Sequence, residues 1–214
     1  MKADFWHDRW AAQKIGFHQR NGNALLVAHF AAIGLAPGNR VFVPLCGKTR
    51  DIAWLMAQGC RVVGAELSET AVQQLFAEID IVPEVTAVGA LTRYAVEGLD
   101  VFIGDIFALT SEDLGHVDAV YDRAALVALP DTMRGRYVDH VVAITGAAHQ
   151  LVVTFTYDQA LMNGPPFSIS EATMMAQYDA IYDLQALQTL DVSGGLNGSV
   201  PATETAWLLT GKGS

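Results

Sequence analysis

"RVFVPLCGKTRDIAWLMAQGCRVVGAELSETAVQQLFAEI", Arg40 to Ile79, is the stretch on which the fold turns. "RVFVPL" is a short, β-rich apolar run. "TRDIAWLMAQG" has helical periodicity and stops on Gly59. "RVVGAEL" is a second apolar strand, and Ser68 opens "SETAVQQLFAEI" with a Ser-Glu-Thr turn suited to a helix N-terminus. Two successive strand–helix steps with continuously apolar strands predict a parallel sheet covered on both faces.

Working outward, Ala3 to Gln13 reads as a short helix on which Phe5, Trp6 and Trp10 share a face. Asn23 is placed to cap a second helix, Ala24 to Ile33, which "GLAPGN" ends. Further on, "TRYAV" and "DVFIGD" read as a hairpin pair. They are followed by strands "VDAVYDR", "HQLVVTFTY", "IYDLQALQTLDV" and "ETAWLLTG", and by an amphipathic helix "DTMRGRYVDHVVAIT". The late strands have little helix between them, which predicts an antiparallel edge. No linker divides the chain, so residues 1–214 are expected to form one three-layer α/β domain.

Composition removes several function classes. A formal charge of −10 disfavours nucleic-acid binding, which needs clustered Lys and Arg. Of 13 such cations, all but Lys212 lie at or before Arg136. The opening "MKADFWHDRW" puts acids and aromatics where a secretory signal needs an apolar core, and no run approaches the ~20 apolar residues of a membrane span. Cys46 and Cys60 have no metal-like spacing. The expectation is a cytoplasmic monomer without metal, membrane or nucleic-acid partner.

"PLCGKTRD" (Pro44–Asp51) contains Gly-Lys-Thr but is no phosphate loop. A Gly-x-x-x-x-Gly-Lys-Thr motif needs glycine at position 42, where Phe42 stands, and Pro44 removes a backbone N–H. The sole Gly-x-Gly is Gly211 and Gly213 in the tail. The loop nevertheless occupies the place where open α/β sheets bind ligands, beyond the carboxyl ends of the strands. Glu66 lies ~20 residues past Gly47 at the end of the second strand, where a carboxylate grips ribose hydroxyls. A ribose site without a pyrophosphate cradle fits S-adenosylmethionine. The competing role for Glu66 is a solvated helix-cap acid, since Ser68 begins a helix. Asp105, ending "VFIGD", stands either at an adenine edge or as an ordinary loop acid.

Five segments together resemble the thiopurine S-methyltransferase family, especially its bacterial members: "FWHDRWAAQKIGFHQ", "VFVPLCGKTRDIAWL", "VVGAELSE", "DAVYDRAALVAL" and "YDQALMNGPPF". They run in the expected order from Phe5 to Phe167. The resemblance implies a Rossmann-like fold, a mostly parallel sheet with an antiparallel edge strand, and a helical cover over residues 1–35. It also implies methyl transfer from S-adenosyl-L-methionine to sulfur, or to selenium or tellurium, on a small molecule. By matching position, Trp6, Trp10, Leu45, Glu66, Asp105, Ile106 and Arg123 would contact the methyl donor, and Phe17 would face the acceptor.

Physical chemistry supports several of these roles. Trp6 and Trp10, four apart, present two indoles on one helical face, and indole faces attract cations such as a sulfonium. Two core tryptophans give the same pattern. Gly47 would let backbone approach the ligand, and Lys48 reads as a surface lysine. Arg123 offers a planar fork of donors for a carboxylate or a thiolate, against the alternative of an Asp122–Arg123 ion pair. Trp6, Trp10 and Phe17 would then close over the reacting centre, with the proline-stiffened "NGPPFSIS" at its rim. Eukaryotic members carry a second arginine near the last hairpin. Here "LDVSGGLNGSVPATETAWLL" has no cation, so that role does not transfer. Another small-molecule methyltransferase on the same fold, acting on a different soft nucleophile or on oxygen, is the main competing reading; a nicotinamide oxidoreductase and a non-catalytic S-adenosylmethionine binder are the others.

Overall fold

The computed structural model describes residues 5–6, 9–10 and 22–213. Among the described residues the sheet has nine strands: β1 (Arg40–Pro44), β2 (Arg61–Glu66), β3 (Glu84–Val88), β4 (Leu91–Val96), β5 (Leu99–Ile103), β6 (Ala119–Arg123), β7 (His149–Tyr157), β8 (Tyr182–Asp191) and β9 (Ala202–Gly211). They lie in the order β3-β4-β5-β2-β1-β6-β7-β9-β8. Within residues 22–213 the α-helices are α1 (Ala24–His29), α2 (Asp51–Ala57), α3 (Glu69–Glu78), α4 (Ser111–Leu114), α5 (Asp131–Thr145) and α6 (Glu171–Tyr178).

The five central strands, β5-β2-β1-β6-β7, are parallel, as the two leading strand–helix steps require. Antiparallel pairing occurs at both edges rather than one. β9 and β8 complete one side, and the hairpin β4–β5 extends through β3 on the other. Strand alternation divides the core. Val41 and Val43 of β1 join Leu25 and Leu26 of α1, Ile52 and Leu55 of α2, and Val72 and Leu75 of α3 on one face. Phe42 points the other way, among Tyr137 and Val141 of α5 and Met174 and Tyr178 of α6. Three layers result.

This topology fixes where a ligand can sit. From β1 the chain winds out to β2 and β5, then returns to lay β6 on the opposite side of β1. At that reversal the loops leaving β1, β2, β5 and β6 splay apart at their carboxyl ends and leave a crevice.

Phe5, Trp6, Arg9 and Trp10 are helical, in keeping with the N-terminal reading; the rest of Ala3–Gln13, and Phe17, lie outside the described residues. No helix among the described residues is long and apolar enough to cross a membrane. Among the same residues no group of three or more His, Cys, Asp or Glu is arranged to hold a metal ion.

Candidate active site

A cavity of about 340 Å³ opens at the carboxyl ends of the central strands, with a largely apolar lining. Its floor begins where β1 ends. Leu45 takes a left-handed backbone conformation (φ 45°), and the next amide, of Cys46, donates to the Ala65 carbonyl of β2 at 2.9 Å. The loop thus turns sharply while still paired to its neighbour strand.

Glu66, the last residue of β2, is 6% exposed. One carboxylate oxygen accepts the Gly47 amide at 2.7 Å and the other accepts the Ser68 amide at 2.8 Å. Ser68 caps α3 with its own hydroxyl, which accepts from the Ala71 amide. Glu66 is therefore not a solvated cap. It clasps the loop after β1 to the loop after β2, and a carboxylate oxygen accepts more than one hydrogen bond, so this clasp is compatible with gripping ribose hydroxyls.

Trp10 is only 4% exposed and lines the cavity together with Trp6. Gly47 has a role beyond close approach to a ligand. A Cβ there would stand 2.9 Å from the Trp10 ring, and its φ of 53° is left-handed, so the glycine makes the seat for the indole. Lys48 is not the plain surface lysine the sequence suggests: it lines the cavity, its side chain is only 14% exposed, and it pairs with Glu78 at 2.6 Å. Burial, and then the nearby Glu66 charge, push the Cys46 thiol well above its ordinary value, so this cavity-lining cysteine stays protonated.

Beyond β5, Asp105 is exposed and turns its carboxylate onto the Phe107 amide at 3.0 Å, while Ile106 is buried. Both line the cavity, as does Arg136 of α5, whose guanidinium lies 3.7 Å over the Phe107 ring. Sequence reading missed Arg136 and Met133. They are three apart on one helical face, a spacing indistinguishable in sequence from any amphipathic stripe.

At the end of β6 the two neighbours in "DR" separate. Asp122 is buried, accepts the Ala125 and Leu126 amides at 3.2 and 3.0 Å, and accepts the Tyr137 hydroxyl at 2.6 Å. Burial drives its carboxyl up to about 6 despite these bonds. Arg123, on the opposite face of the strand, lines the cavity. Pro165 and Pro166 form the rim. The Tyr157 hydroxyl donates to the Pro166 carbonyl and the Phe167 amide to the Val127 carbonyl, each at 2.6 Å, which ties that rim to the sheet.

A family model described as thiopurine S-methyltransferase matches residues 1–210. The chain belongs to the thiopurine S-methyltransferase family. A relative of that name from Xanthobacter autotrophicus is 58% identical over 210 residues, covering 98% of this chain and 99% of the relative. One from Teredinibacter turnerae, also so named, is 48% identical, with 98% of each chain covered. Among solved structures, the Burkholderia thailandensis 1,6-didemethyltoxoflavin-N1-methyltransferase, with 1,6-didemethyltoxoflavin and S-adenosylhomocysteine bound, superposes with a TM-score of 0.64. It is 15% identical, with 97% of this chain and 86% of the other covered, a likeness of fold alone. The fold is thus the Rossmann-like methyltransferase fold, and this family member is a methyltransferase.

Proposed function

We propose that this chain transfers the methyl group of S-adenosyl-L-methionine to the sulfur of a thiopurine or another aromatic or heterocyclic thiol. Selenium and tellurium nucleophiles are further soft acceptors on this reading. The observation that carries it is Glu66, a buried carboxylate fixed by two loop amides at the cavity floor. Residues 1–214 act as one catalytic domain, with residues 1–35 as its cover.

The residues present fit the donor. Glu66 takes the ribose hydroxyls, Leu45 supplies apolar contact, and Asp105 and Ile106 border the adenine. The Trp6 and Trp10 indoles present π faces suited to a positive sulfonium and keep water from it. When bound, S-adenosylmethionine supplies a methyl group already activated for in-line displacement. The chain therefore needs little acid–base machinery: its work would be to align the acceptor with that methyl group and to exclude water. Arg123 stabilises the anionic acceptor, or the donor's carboxylate, with its planar fork of donors. Phe17 faces the acceptor.

Calorimetry with S-adenosylhomocysteine tests the reading. Wild type binds, and Glu66→Ala loses at least about tenfold in affinity. A folded Glu66→Ala variant with undiminished affinity removes the ribose assignment. Turnover with a panel of thiols, selenols and alcohols then separates a sulfur methyltransferase from an oxygen-directed one. Tight binding with no turnover on any acceptor leaves a non-catalytic binder, and nicotinamide binding in its place returns the oxidoreductase reading.

A further inference from the structure

Two arginines of α5, two residues apart, are engaged differently. Arg134 is buried, pairs with Asp131 at 3.3 Å and donates to the Leu129 carbonyl at 3.1 Å. Arg136 is exposed and lines the cavity, its guanidinium carbon 3.7 Å from the centre of the Phe107 ring. Among the described residues no acid makes an ion pair with Arg136. Asp105 lines the same cavity but turns its carboxylate onto the Phe107 amide. A ring face attracts positive charge yet accepts none of the in-plane N–H donors, so the planar fork stays available to a ligand.

The seat under that cation is held from two sides. His140, one turn beyond Arg136, packs edge-on to the Phe107 ring at 5.4 Å, and its Nε2–H donates to the Ile106 carbonyl at 2.8 Å. The Phe107 amide donates to Asp105 at 3.0 Å. The loop after β5 and helix α5 thus fix the ring, and the ring fixes the guanidinium. Met133, one turn before Arg136, adds apolar wall to the same cavity. A cation so placed beside apolar surface suits a carboxylate on an aromatic ring: the fork takes the two oxygens and the wall takes the ring.

We propose that Arg136 sets acceptor specificity by binding a carboxylate on the methyl acceptor, so that this chain favours aromatic thiols carrying a carboxylate besides the reacting sulfur. The inference rests on the methyl-transfer reading and deepens it. On that reading the donor's adenine borders Asp105 and Ile106, the residues immediately before Phe107. The donor is elongated, with ribose between its adenine and its amino-acid end, so its own carboxylate lies away from Arg136. An anion that reaches this arginine has to come from the acceptor. Arg123 then acts on the thiolate or on the donor's carboxylate, and Arg136 on the remote group.

Two thiols that differ in one charge test it, 4-mercaptobenzoate and its methyl ester. Wild type has the higher kcat/KM for the acid. In Arg136→Gln the ratio of kcat/KM for acid over ester falls at least about tenfold, and comparison between variants cancels the thiols' different intrinsic reactivities. Arg136→Lys keeps the charge without the fork and falls between. A second readout needs no turnover: calorimetry of 4-mercaptobenzoate with protein saturated in S-adenosylhomocysteine shows about tenfold weaker binding in Arg136→Gln. A ratio indifferent to Arg136→Gln, or a wild type that prefers the ester, overturns the proposal. So does a loss of S-adenosylhomocysteine affinity with the ratio unchanged, which would make Arg136 a donor contact. Wild type that fails to bind S-adenosylhomocysteine overturns the parent reading instead, and titration of 4-mercaptobenzoate into the donor-free protein still decides whether Arg136 binds the carboxylate.

Discussion

The two ends of the parallel strands hold their charges in different ways. At the amino ends Asp100 is shared by two arginines, Arg93 at 2.6 Å and Arg40 at 3.3 Å. Arg40 also donates to the Leu114 and His116 carbonyls. At the carboxyl ends Glu66 is held by the amides of Gly47 and Ser68, and Asp122 by two amides and a tyrosine hydroxyl. A second cleft, lined by Arg40, Arg93 and Asp100 among others, lies at the amino ends. The amino-end charges neutralise one another, whereas these carboxyl-end acids are fixed by backbone amides and a tyrosine hydroxyl.

That contrast predicts the largest effect at Glu66. Glu66→Ala leaves two loop amides without their acceptor in a buried place, at about 1–3 kcal/mol for each. Urea unfolding should therefore show at least about 2 kcal/mol of lost stability in addition to the lost affinity. Stability equal to wild type would mean that the amides find water, and the clasp would not be structural.

Asp122 sharpens the same point through pH. Its carboxyl is driven mainly by burial from 3.8 to about 6, so within that window the folded state holds a proton that the unfolded chain has released. Stability from this group is greatest below the window, falls as pH rises through it, and is constant above about 6. Asp122→Asn cannot titrate. Measured by urea unfolding from about pH 4 to about pH 7, wild-type stability minus that of the variant should decline by on the order of 2 kcal/mol and then level off. A flat difference would show that the bonds from Tyr137 and the two amides fully offset burial.

Gly47→Ala probes the cavity with less cost to the fold. The added methyl meets the Trp10 ring at 2.9 Å in a left-handed backbone, so the indole must leave its seat. The expected outcome is about 1 kcal/mol of strain, about tenfold weaker S-adenosylhomocysteine binding, and a change in tryptophan fluorescence. Unaltered binding would take Trp10 out of the donor site.

How much of this was readable from sequence follows from the range of the interactions. β1, α2, β2, α3 and α5 were legible because their apolar spacing is local. β3 was not: Glu84 to Ala87 are all exposed, so no buried face writes an alternation into the strand. α4 is four residues long, too short to show a period. In the site, the position of Glu66 after β2 was enough to raise it as a candidate, and Arg123 stood out as a cation ending a buried strand. What held Glu66 was hidden, since the amide that fixes it comes from 19 residues away. Trp10 resting on Gly47 joins two segments that separately read as a core tryptophan and a flexible glycine. Three-dimensional register, absent from any local pattern, makes each of these one feature.

The smallest effect is expected at the amino ends, where Asp100→Asn tests the other half of the comparison. Asparagine keeps an acceptor oxygen, Arg40 keeps its two carbonyls, and the Arg93 side chain is 41% exposed, so water screens much of what is lost. About 1 kcal/mol or less of stability should disappear, and S-adenosylhomocysteine affinity should stay within about twofold of wild type. The affinity is the informative quantity. β5 carries Asp100 near one end and leads into Asp105 and Ile106 at the other, so this strand is the direct route by which a loosened amino end would reach the cavity wall those two residues form. A loss comparable to that of Glu66→Ala would show that route to be active, and the division of labour between the two ends would fall.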